Sequence, residues 1–145
     1  LWCGSINGEW IDSLGKQIYT YYNKAINMTK PKHNYISKHC PNALFLMFPT
    51  QDIPAILAKP YFNPTSLHSE GFIHACSVHQ VGYVVQRFYR DILDLTLLVI
   101  DPQLVTAEIK YESASVSEYG DFPHIYGQLN IDAVVEQCLL SDFSM

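Results

Sequence analysis

Apolar positions change their spacing along this chain, and each spacing predicts an element. Ile6, Trp10, Ile11, Leu14, Ile18, Tyr21, Tyr22 and Ala25 recur at three- and four-residue steps, the stripe of one amphipathic helix. A polar stretch follows from Thr29 to Asn42, with Lys30, Pro31, Lys32, His33 and Pro41 in it. That composition predicts a loop and divides a helical extension, residues 1–42, from a domain over residues 43–145. Within the domain the spacing shortens. Ala43–Phe48 is a short apolar strand, and Thr50 can cap a helix through Leu57, with Pro54 tolerated in its first turn. Lys59 to Glu70, broken by Pro60 and Pro64, reads as a loop, and Gly71–Cys76 as a strand. Ser77 and Gln80 form a capping-box pattern ahead of a helix through about Tyr89, whose buried side is Val78, Val81, Val84, Val85 and Phe88.

Leu95–Ile100 is an unbroken apolar run, as expected of a central strand buried on both faces. Ala107–Tyr111, Phe122–Tyr126 and Ile131–Leu140 complete the strands, with a polar loop from Ser113 to Asp121. Strands outnumber helices and several connections are too short for helical crossovers, so the fold class is α+β with mostly antiparallel pairing.

Composition narrows the function classes. Apolar residues make up 48% of the 145 and charged residues 16%, enough for a real core. A net charge of -5 sets a repulsive field against polyanions, which argues against nucleic acid and anionic lipid as partners. No window reaches the ~20 apolar residues that a helical membrane span requires. Cys3, Cys40, Cys76 and Cys138 form no Cys-x-x-Cys pair and no zinc spacing. Cys76 and Cys138 lie in apolar strands and read as buried thiols. The compartment stays open between cytoplasm and secretion, and Cys3 and Cys40 could form a disulfide in the secreted case. Asn27-Met28-Thr29 has the form of a glycosylation sequon.

Three segments carry polar groups where a plain core would not. In GFIHACSVHQ (71–80), alternation puts Phe72, His74 and Cys76 on one strand face, and Ser77 and Gln80 open the helix that follows. A helix N-terminus there can receive an anion or an amide oxygen. In DFPHIYGQL (121–129), His124 and Tyr126 share a face, and imidazole with phenol can orient a substrate or transfer a proton. Glu112 closes a strand and is the nearest carboxylate. His74, His79 and His124 show no diagnostic ligand spacing, so no metal is expected. No Gly-rich phosphate loop, nucleophile elbow or HExxH motif occurs.

The strings SLHSEGFIHACS (66–77), QRFYRD (86–91), DLTLLVID (94–101), EIKYE (108–112) and FPHIYGQLNIDAVV (122–135) together resemble domain-of-unknown-function family 952 in order and spacing. That resemblance implies an ADP-ribosyltransferase-like fold: a split, mostly antiparallel β core with an NAD-sized cleft. It implies NAD, ADP-ribose or a related nucleotide as ligand, between His74 and His124. His74, His124 and Tyr126 are then the catalytic candidates, and Phe72, Ser77, Gln80, Met47 and Glu112 the binding ones. Two departures stand out. Met47 occupies the first-strand position where such transferases use a ribose-holding His, and a thioether cannot donate a hydrogen bond. His124 falls in the region where they place a Glu that stabilises an oxocarbenium-like transition state. Those departures support an alternative expectation, an inactive scaffold that engages a protein partner or its own copy through the N-terminal helix.

Overall fold

The computed structural model describes Ser5–Ile6, Glu9–Trp10, residues 42–113 and residues 117–143. Ser5–Ile6 (β1) and Glu9–Trp10 (β2) pair antiparallel, so Ile6 and Trp10, which the sequence stripe assigns to a helix, are strand residues. The rest of that stripe, from Ile11 to Ala25, lies outside the described residues, as do Cys3, Cys40 and the sequon.

The apolar run Leu44–Pro49 (β3) pairs antiparallel with the equally apolar Leu95–Ile100 (β7), Leu44 opposite Ile100 and Met47 opposite Leu97. All six residues of β7 are buried because β3 flanks it on one side and Val134–Leu139 (β11) on the other. Cys76–Ser77 (β6) completes this four-stranded sheet, in the order β11-β7-β3-β6. A second sheet joins Ile73–His74 (β5), Asp121–Tyr126 (β9) and Glu108–Ser113 (β8), with β9 in the middle and every pair antiparallel. Tyr61–Phe62 (β4) and Leu129–Asn130 (β10) make a short ribbon. The fold is therefore mixed α+β with mostly antiparallel strands and few helices.

One strand-like run serves both sheets. Residues 73–74 pair with β9, residues 76–77 pair with β3, and Ala75 is the crossing point, its N–H donating to the Pro123 carbonyl at 3.1 Å. Pro123, in the middle strand of the smaller sheet, thus meets its neighbour at the point where that run passes from one sheet to the other.

Burial follows the two sheets. Leu44, Leu46, Ile73, Leu98, Ile100, Ile125 and Leu129 form the core between them. Phe45, Met47, Cys76, Leu97, Val99 and Phe122 pack on the opposite face of the larger sheet, under Val81 and Val85 of a helix, Val81–Phe88. Three corrections to the sequence reading emerge here. Thr50 does not cap the helix at Ile53–Leu57 (α1); its hydroxyl bonds Asp94 at 2.8 Å and Thr96 at 2.9 Å, tying two chain segments together. The expected loop 59–70 contains β4 and a five-residue helix, Thr65–Ser69 (α2), so the helix 81–88 is α3. The expected strand over 131–140 begins with a 3-10 turn, Ile131–Ala133.

Candidate functional site

The capping box at Ser77 forms as the pattern predicts, and it decides what Gln80 does. The Gln80 side chain is fully buried; its oxygen accepts from the Ser77 N–H at 2.9 Å, and its amide donates to the Tyr119 and Asp121 carbonyls, both at 2.8 Å. Those bonds clamp the start of α3 to the start of β9. Ser77 and Gln80 thus hold the frame and take no part in the open face of the smaller sheet. Met47 is also apart from that face, packed in the core under α3. Cys76 and Cys138 are buried, and burial pushes the Cys76 thiol up to about 12.

The other predicted residues converge. Register places His74 directly opposite His124, and His124 opposite Lys110, in one row across the smaller sheet. Alternation then sends Phe72, Tyr126, Glu108 and Glu112 to the same side, while Ile73, Ile125 and Ile109 point into the core. Along β9 this side begins covered: Phe122 is buried against Tyr83 of α3, with ring centroids 5.9 Å apart. The α3 cover does not extend over His124 and Tyr126, and the side opens.

On that open side Phe72 sits at the centre of a ring cluster. It stacks on His124 at 4.0 Å between centroids, with 17° between planes, and its ring lies 4.8 Å from His74 and 5.3 Å from Tyr126. Two imidazole–carboxylate pairs flank it. His74 Nε2 lies 2.8 Å from Glu70 Oε2, both side chains about half exposed. His124 Nδ1 lies 2.6 Å from Glu112 Oε2, and its side chain keeps only 15% exposure. The Tyr126 hydroxyl donates to that same oxygen at 2.7 Å. These bonds, Tyr126 first and His124 second, hold the Glu112 carboxyl below its ordinary range; the Glu112 bond in turn raises the Tyr126 phenol. The Lys110 ammonium stands 4.4 Å from the Tyr126 ring centre and 3.6 Å from Glu108.

Five of the eight predicted site residues therefore meet: Phe72, His74, Glu112, His124 and Tyr126. Sequence reasoning passed over Glu70 and Lys110. Lys110 alternates with Glu112 in EIKYE and could have been found from that spacing. Glu70 reaches His74 only because Gly71, at φ 87°, turns the chain between them. Among the described residues no group of three or more His, Cys, Asp or Glu side chains could hold a metal ion. The arrangement can exchange protons and receive a planar or positively charged group between rings and carboxylates.

The sequence model of a family described as "Protein of unknown function (DUF952)" matches residues 47–137, a span that holds the whole smaller sheet, most of the larger one and every residue of this face. Among solved structures, the crystal structure of protein CC0527 from Caulobacter crescentus is similar, with a TM-score of 0.58 at 20% identity, covering 67% of this chain and 84% of that one. The solution structure of the same protein aligns with a TM-score of 0.55 at 21% identity, over 66% of this chain and 82% of that one. At this identity the likeness establishes the fold. No curated protein matches the chain.

Proposed function

The chain belongs to the DUF952 family of unknown function, and from that premise we propose an ADP-ribosyltransferase-like domain whose open histidine face binds and processes a ribosyl nucleotide such as NAD or ADP-ribose. The observation that carries this reading is the meeting of His124 and Tyr126 on one oxygen of Glu112. A carboxylate held ionised beside an aromatic cluster is suited to a transition state that develops positive charge on a sugar ring. In this reading Glu112 supplies the carboxylate that the resemblance led one to seek in the FPHIYG string. It stands one strand over, on β8, and reaches diagonally to His124, as side chains two places apart across a strand pair do.

Electrostatics orient the ligand. Glu70, Glu108 and Glu112 surround the rings and the chain carries -5, so phosphate groups are placed away from this cluster and the ribosyl end toward it. Met47 takes no role in holding a ribose, and His74, with Phe72 beside it, is the polar group left for that task.

The test is thermal denaturation with NAD, ADP-ribose and a 2'-phosphorylated nucleotide. A ligand at 100 times its dissociation constant stabilises the folded state by about 2.7 kcal/mol, and Glu112→Ala should abolish the shift. If none of the three ligands moves the transition, the nucleotide reading loses its support.

A further inference from the structure

Glu112 Oε2 takes two short contacts, and their chemistry fixes where the protons lie. An ionised carboxylate only accepts hydrogen bonds. The Tyr126 hydroxyl donates one of them, so the 2.6 Å contact from His124 must be an Nδ1–H donating the other. A neutral imidazole carries one ring proton, which leaves Nε2 with its lone pair. That is the opposite of the arrangement a free histidine side chain favours in water. Nε2 makes no hydrogen bond to any described residue, and with Phe72 stacked on one ring face, the ring edge is the route of approach.

We infer that Glu112 locks His124 as the Nδ1–H tautomer, that Nε2 is the proton-accepting atom of this face, and that Tyr126 is a positioning residue acting through Glu112. The site then takes a ligand that presents a hydroxyl, a sugar O–H or a water, to Nε2. The proton passes from that oxygen to Nε2 while the O–H electron pair stays on the ligand oxygen. The imidazolium so formed keeps its Nδ1–H on Glu112, whose negative charge balances it. His74 is held the other way round, by Nε2 on Glu70, so the two imidazoles offer different ring atoms. This inference rests on the reading above for the identity of the ligand, and its protonation claim stands independently of it.

The experiment is long-range nitrogen–proton NMR on the uniformly nitrogen-labelled protein without ligand, at a pH where the His124 ring is neutral. The expected result is a protonated Nδ1, an unprotonated Nε2, and a slowly exchanging downfield Nδ1 proton. Glu112→Ala should lose the downfield proton and return the ring to the Nε2–H form. Tyr126→Phe should keep the Nδ1–H form while the Glu112 carboxyl titrates at higher pH. An Nε2–H ring in the unsubstituted protein overturns the inference, as does a tautomer unchanged by Glu112→Ala. A Glu112 titration unmoved by Tyr126→Phe removes Tyr126 from its positioning role. A locked ring with no thermal shift from any nucleotide would retain this inference and discard the nucleotide ligand.

Discussion

Two donors on one carboxylate oxygen make Glu112 and Tyr126 a linked pair whose shifts run in opposite senses. The Glu112 pKa is lowered on folding, so its contribution is present above the unfolded carboxylate value, about 4.3, and is lost as pH falls through the folded value. The Tyr126 pKa is raised, so its contribution is present below the unfolded phenol value, about 10, and is lost as pH rises through the folded value. Both act in full only between those two limits. The melting-temperature difference between Tyr126→Phe and the unsubstituted protein should therefore be largest at mid-range pH and shrink at both extremes. Cys76 gives a second prediction at this scale. With its thiol at about 12, very little thiolate exists at pH 8, and alkylation of the folded protein should be slow until denaturant is added.

At the scale of elements, the site depends on parts that never touch it. Gln80 bridges α3 to β9, and truncating it strands the Ser77 N–H with the Tyr119 and Asp121 carbonyls. Gln80→Ala should cost about 2–3 kcal/mol in urea denaturation. Gly127 ends the strand that carries His124 and Tyr126; at φ 154° an added Cβ would come within 2.9 Å of the Ala107 Cβ. Gly127→Ala should destabilise by about 1–3 kcal/mol and disturb the Tyr126 bond, seen as a displaced phenol resonance. The Ser77–Gln80 capping pattern was legible in the sequence because it is local, four residues satisfying one another's backbone. Its further role was not, because Tyr119 and Asp121 lie about forty positions away.

Across the whole molecule, two sheets share one strand-like run, and the site lies on the side of the smaller sheet that α3 leaves uncovered. The DUF952 match, residues 47–137, falls on this part of the chain. The ligand screen belongs to this scale, since binding anywhere on the native fold reads out as a shift of the one unfolding transition. No helix among the described residues is long and apolar enough to cross a membrane.

Local order determined what the sequence alone could show. Continuous apolar runs identified β3 and β7, period-two alternation put His124 beside Tyr126 and Phe72 beside His74, and the capping box started α3. Each rests on contacts between near neighbours in the chain, which leave a repeating trace. Tertiary structure alone decided that Glu112 meets His124 from another strand, that Glu70 meets His74 around Gly71, and that Met47, Ser77 and Gln80 stay outside the site. Those outcomes depend on strand register and on the crossing of residues 73–77 between sheets. A one-residue slip of β8 against β9 would have turned Glu112 to the other face, away from His124 and Tyr126.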